Sequence, residues 1–220
     1  MSLQSPQHHT APVPPPPPAP ASRCWQMWTR YVQLLQKYPV RTNVLTAGIV
    51  GFTGDLLAQK VESQVHADVE AQQNLARALK VATWNAMVSG PLTHWFKFLD
   101  TKWPLPPGAV GREQLFAVAK KVCLNQCTAA PLNNGGFYSW VLMWKHIADE
   151  QGDHSQGLLE DIGTKLKNDL PQTTVNSCLV WGTAWTINML FLPPHTRVLF
   201  NSVGQVFWTA YLSLTGHRRL

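Results

Sequence analysis

Thr174–Leu192, TVNSCLVWGTAWTINMLFL, and Val198–Leu214, VLFNSVGQVFWTAYLSL, are the two stretches that decide how this chain folds. From Leu170 to His217 the only charged residue is Arg197, and Pro193-Pro194 divides the region in two. The segments are 19 and 17 residues long. A helix of ~20 residues rising ~1.5 Å per residue crosses the ~30 Å hydrocarbon core of a bilayer. The reading is an all-α integral membrane protein.

Working outward, charge-free windows mark further helices. Thr42–Gly54, extended across Asp55 to Gln59, is the first span, and Val81–Phe96 the second. Val122–Trp144 is the third, interrupted by Pro131 and by Asn133-Asn134-Gly135-Gly136, which reads as a helix break or turn. Thr174–Leu192 is the fourth. Val198–Leu214 fits a fifth span, an interfacial helix or a helix buried in the bundle. Mean hydropathy is only −0.11. The spans carry Thr, Ser, Asn and Gln, side chains that in lipid seek helix contacts or a wet cavity. A bundle with a polar interior is expected.

Charge placement favours four spans plus a C-terminal helix that does not cross. Both termini then share a side carrying twelve basic and two acidic residues, against six basic and ten acidic on the other. Retention of Lys and Arg orients membrane helices, so the basic side holds both termini and the central loop. Five spans would weaken the basic split to ten against eight.

Residues 1–22, with five consecutive prolines at Pro14–Pro18, cannot bury a core and read as a disordered or polyproline tail. The tail suits a linker or an SH3-type ligand and lacks the features of a secretory signal. Residues 23–220 read as a single helical membrane domain. Within it, Trp25, Trp28, Val32 and Leu35 fall on one side of a short helix and Arg23, Arg30 and Lys37 on the other. Such a basic amphipathic helix suits an anionic membrane surface or the outside of the bundle. No acid precedes Asp55, as in mitochondrial presequences, and the chain ends Arg218-Arg219-Leu220 rather than in a peroxisomal tripeptide.

Ten tryptophans suit interfacial belts, Trp95, Trp103 and Trp144 above all because they lie beside charges. The four cysteines, Cys24, Cys123, Cys127 and Cys178, read as buried small residues rather than as disulfides or a metal pair. No catalytic signature is present, so neither enzymatic activity nor a cofactor is expected. The candidate pore-lining or buried polar residues are Asp55, Lys120, Lys121, Gln126, Asn176, Trp181, Asn188 and Arg197. Asp55 needs an aqueous cavity, a cation or the interface, with Lys60 as a nearby partner. Lys120 and Lys121 could form a positive vestibule or snorkel to phosphates. Asn176, Trp181, Trp185 and Asn188 share one side of their helix. Lys97 and Asp100, three apart, are expected to pair.

At these residues the chain resembles the Mpv-seventeen and twenty-two-kilodalton peroxisomal membrane protein family. The likeness covers about residues 28–217. It rests on Trp28, Tyr31, Leu35, Pro39, Leu45-Thr46-Ala47-Gly48, Gly54-Asp55 and Gln59. It continues through Gly90-Pro91, Phe96 to Asp100, Lys120-Lys121, Gln126 and Pro131. It ends in Trp181, Asn188, Leu192-Pro193, Arg197 and Trp208 to Ser213. Asn125, Gly182, Trp185, Met189 and Thr209 depart from the family pattern. The resemblance implies a four-span protein of the mitochondrial inner membrane, or alternatively of the peroxisomal membrane. It implies roles in weakly selective solute permeation, organelle homeostasis and mitochondrial DNA maintenance. The expected partners are the lipid bilayer, small solutes or ions, and a second copy of the chain, with no direct nucleic-acid binding. The competing reading is a non-conducting scaffold that acts through partner binding.

Overall fold

A computed structural model describes residues 23–65, 74–104, 111–148, 157–191 and 194–217. The Pro-rich tail and Arg218-Arg219 lie outside the described residues, as do the side chains of Asn188 and Arg197. Among the described residues there are seven helices and no strands. They are α1 (Arg23–Lys37), α2 (Pro39–Val65), α3 (Leu75–Lys102), α4 (Arg112–Cys127), α5 (Ala129–Ala148), α6 (Leu158–Phe191) and α7 (Pro194–His217).

Local chemistry sets the helix limits. Pro39 opens α2, where its missing N–H costs little and its fixed φ fits the first turn. Asn74 caps α3, its Oδ1 accepting the Arg77 backbone N–H at 2.9 Å. The expected break at Asn133–Gly136 is not there, for those residues are helical within α5. The interruption falls at Thr128, so that Pro131 sits in the first turn of α5, where proline is tolerated. Gly135 and Gly136 serve packing instead, since a Cβ on Gly136 would lie 2.6 Å from the Trp84 ring.

The helices make five antiparallel passes. α3 returns along α2, with Asn43 Nδ2 donating to Thr93 Oγ1 at 3.0 Å and Gly51 against Ala82 and Asn85. α4 and α5 together run back along α3, placing Asn125 by Trp95 and Trp140 by the Lys80 carbonyl. α6 reverses again, with Asp161 meeting His146 and Ser177 meeting Gln126. α7 then runs back along α6, bringing Gly204 to Trp181 and Tyr211 to Asn176. It also lies beside α2, where a Cβ on Gly54 would be 2.8 Å from Thr209. The last segment is therefore a full pass through the bundle, not a helix laid across its end. Charge counting could not find this, because close contact between Gly54 and Thr209 decides it rather than loop charge. Val81, Phe137, Tyr138, Val141, Trp208 and Leu212 form the apolar core, with Trp84, Leu166, Trp181 and Tyr211 packed around it.

Polar side chains are buried beside this core, and large apolar ones are exposed. Asp55, Lys121, Gln126, Asn134, Lys165, Thr173, Ser177, Thr209 and Ser213 are buried, while Leu45, Ile49, Phe116, Leu132 and Phe191 are each at least 67% exposed. Among the described residues no helix is long and apolar enough to cross a membrane. Length is not what is missing, since α2, α3 and α6 have 27, 28 and 34 residues. Buried polar residues such as Asp55 on α2 and Lys165, Thr173 and Ser177 on α6 lower the apolarity of these helices. The four cysteines are exposed, against the expectation of buried small residues.

Gly136→Val should destabilise the bundle by about 1–3 kcal/mol through overpacking against Trp84. Gly163→Ala, where an added Cβ meets nothing within 4 Å, should leave stability unchanged or raise it. Thermal unfolding followed by circular dichroism in detergent separates the two. Equal midpoints would dispose of the close approach at Gly136.

Candidate functional site: a polar cavity beneath a buried ion cluster

Polar stripes on several helices converge on one space. On α3, Asn85, Ser89 and Thr93 recur every four residues, so they share a helix face. Asn43 and Thr46 come from α2, Asn125 and Gln126 from α4, and Asn133 and Asn134 from α5. Ser177, Trp181 and Trp185 come from α6, and Asn201, Gln205 and Trp208 from α7. Together they line a cavity of about 830 Å³. Tyr31 and Leu35 of α1 flank it, Tyr31 reaching Thr46 Oγ1 at 3.3 Å.

Among the described residues, charge in this lining is confined to Lys97 and Asp100, on the last turns of α3. Asp100 is bound by buried Lys121 Nζ at 2.6 Å, so its ion-pair partner is Lys121 and not the expected Lys97. Deeper in, the lining is neutral. Gln126 and Ser177 bond each other twice, Gln126 Nε2 donating to the Ser177 carbonyl and Ser177 Oγ to Gln126 Oε1. Trp95 Nε1 donates to Asn125 Oδ1 at 3.1 Å. Asn134 is 2% exposed and its Nδ2 has no hydrogen-bond partner.

Beyond the cavity, nearer the ends of α2 and α7 and the start of α3, lies an ion cluster. Asp55 is fully buried. It accepts from Arg77 Nε at 3.0 Å, from Gln59 Nε2 at 2.6 Å and from Ser213 Oγ. The Arg77 guanidinium also grips Glu62 with two bonds of 2.6 and 2.9 Å, the fork geometry arginine favours. Burial alone would lower the Arg77 pKa. The hydrogen bond to Glu62 and the charges of Asp55 and Glu62 outweigh it and hold the guanidinium charged. His217, beyond the apolar stretch of α7, is pushed down by burial and then by Arg77, and its Nδ1 meets the Ser213 carbonyl at 2.8 Å. Gln59 also bonds Asn74 twice, tying the cap of α3 to α2.

Of the residues singled out from sequence, Gln126 and Trp181 line the cavity. Asp55 does not; its partner is Arg77, not Lys60. Lys121 stands behind the wall holding Asp100, and exposed Lys120 lies with Nζ 5.5 Å from the Phe116 ring. Asn176 Nδ2 donates to Tyr211 OH at 2.8 Å, a packing contact between α6 and α7. The side chains of Asn188 and Arg197 lie outside the described residues. Sequence reading passed over Asn85, Ser89, Asn134, Arg77, Glu62 and Ser213. The four-residue spacing on α3 was a usable signal, whereas the pairing of Asp55 with Ser213, 158 positions away, was not. Trp95 and Trp103 lie toward one end of the bundle and Trp144 toward the other, where Lys80 Nζ is 5.1 Å from its ring. Among the described residues, no group of three or more His, Cys, Asp or Glu could hold a metal ion.

The family model described as the Mpv17 / PMP22 family matches residues 155–213. Full-length relatives extend the likeness. PXMP2/4 family protein 2 of Dictyostelium discoideum is 30% identical over 191 residues, covering 86% of this chain and 90% of that protein. Peroxisomal membrane protein 2 of Bos taurus is 27% identical, covering 86% and 88%. Mitochondrial inner membrane protein Mpv17 of Bos taurus is 28% identical, covering 87% and 98%. No solved structure matches.

Replacing Asp55 by Asn leaves half-buried Arg77 with Glu62 as its one carboxylate and should cost about 1–3 kcal/mol of stability. Arg77→Met alone strands the buried Asp55 carboxylate and should cost about 3–5 kcal/mol, but less on the Asp55→Asn background, where that charge is absent. A double-mutant cycle in chemical denaturation reads the coupling. Strictly additive losses would mean that the two side chains do not interact.

Proposed function

The chain belongs to the Mpv17 / PMP22 family, and on that premise we propose that it is a multi-pass organelle membrane protein giving small solutes a weakly selective path. Its setting is an organelle membrane, mitochondrial inner or peroxisomal, as the names of its relatives state for them. The observation that carries this reading is the pairing of an amide- and hydroxyl-lined cavity with an outward face of large apolar side chains. Lipid satisfies the second and water the first. In water alone, the exposed Leu45, Ile49, Phe191 and Phe207 would be a standing aggregation hazard.

Neutral walls explain weak selectivity. A strict ion filter needs rings of charge or of converging carbonyls, and Lys97 and Asp100 supply neither at depth. The ion cluster at Asp55 closes the helices together beyond the cavity, so transport requires that end to open or the path to pass beside it. Catalysis forms no part of this role. Tryptophans toward both ends of the bundle suit the two headgroup layers.

Two measurements test the reading. Purified protein in liposomes should make them swell in iso-osmotic small solutes, and Ala130→Trp, which fills the cavity from its wall, should cut the rate severalfold. Unaltered swelling in that variant would exclude the cavity as the path, and silent wild-type vesicles would favour a non-conducting scaffold. Separately, five passes place tags at residues 23 and 217 on opposite faces of the membrane. Protease protection of both tags from the same side would rule that topology out.

A further inference from the structure

We propose that the cavity is a binding site for a small neutral polyhydroxylated solute, a polyol or sugar, rather than for a small organic anion. The inference rests on the reading of the cavity as a solute path and names the class of molecule that path accepts.

Three features lead there. First, among the described residues the depth of the lining is uncharged. Lys97 and Asp100 sit at the rim, and Lys121 already neutralises Asp100. A carboxylate moving inward would shed water without meeting a countercharge, whereas hydroxyls exchange water for amides at little cost.

Second, Asn134 brings an unmet donor. It is 2% exposed, lines the cavity, and its Nδ2 has no partner. A buried donor left unpaired costs about 1–3 kcal/mol, and a ligand hydroxyl oxygen reached by a turn of the terminal amide would remove that cost. Most neighbouring amides are already engaged within the protein, as Gln126 is by Ser177, so the free donor is a specific feature of this wall.

Third, part of the lining is aromatic. Trp181 and Trp185 stand four residues apart on α6, and Trp185 lies 5.0 Å from the Phe96 ring. Flat apolar faces together with hydrogen-bonding amides suit a molecule that carries both C–H groups and hydroxyls. The volume, about 830 Å³, lies within the range of small-molecule sites, about 300–1,000 Å³.

The test uses the full chain in lipid nanodiscs and follows tryptophan fluorescence during titration with sorbitol and with gluconate, which has the same carbon number but carries a charge. Sorbitol should give a saturable change, with gluconate at least about tenfold weaker, and Asn134→Leu should weaken sorbitol by about tenfold. Equal responses to the two probes, or no saturation with sorbitol in the wild type, would overturn the proposal without any variant. Swelling of proteoliposomes in the same two solutes separates the two levels. Saturable sorbitol binding in impermeable vesicles would keep the site and reject the path. Free passage of both solutes without saturation would keep the path and reject the site.

Discussion

A carboxylate with no exposure to solvent organises this bundle. Asp55 on α2 is held by Arg77 on α3 and Ser213 on α7, and Arg77 in turn takes both oxygens of Glu62. A buried charge is tolerated only when fully partnered, because the uncompensated ion costs several kcal/mol. That requirement fixes three helices at once. α7 must lie beside α2 with Ser213 level with Asp55, and α3 must begin where Arg77 can reach both acids. Gln59 and Asn74 lock the same corner through the backbone. The close approach of Gly54 to Thr209 makes the geometry possible, since any side chain at Gly54 would push α7 away.

The cavity follows from the same arrangement. With α2, α3 and α7 tied at one end, their polar stripes meet those of α4, α5 and α6 further along. Asn85 and Ser89 then share a wall with Gln126, Ser177 and Gln205. The apolar core includes Trp208, which lines that space, and Leu212, the neighbour in sequence of Ser213 in the ion cluster. One end is therefore cross-linked by charge and the other holds an open polar pocket.

Buried polar side chains explain why mean hydropathy understates the apolar surface. Long helices carry hidden polar residues among outward apolar ones, and a running average along the chain mixes them. No helix among the described residues reaches the apolarity of a simple anchor. Yet Leu132 and Phe191 are about three-quarters exposed while Asp55, Lys165 and Ser177 are hidden. The chemistry is in the faces, and faces exist only once the helices are assembled.

Helix positions were legible from the chain itself, but not all limits: α6 begins at Leu158, where Thr174 was expected, and α4 and α5 were read as one interrupted span. The amphipathic stretch 23–37, the charge-free windows and the proline pairs are local signals, and α1 coincides with its expected range. The family likeness was equally legible, because it rests on ordered short motifs. The misplaced break at Asn133–Gly136 shows the limit of local rules. Two glycines that read as a turn are helical residues giving Trp84 and Leu166 room. Sequence marked Asp55 as a costly residue but could not name its partner, because Arg77 and Ser213 lie 22 and 158 positions away. Only the tertiary structure decided that the last helix makes a full pass, that Lys121 serves Asp100, and which polar side chains face a common cavity. Helical periodicity is written into consecutive residues. The choice of which faces meet is made by long-range packing, where small residues allow close contact and buried charges demand it.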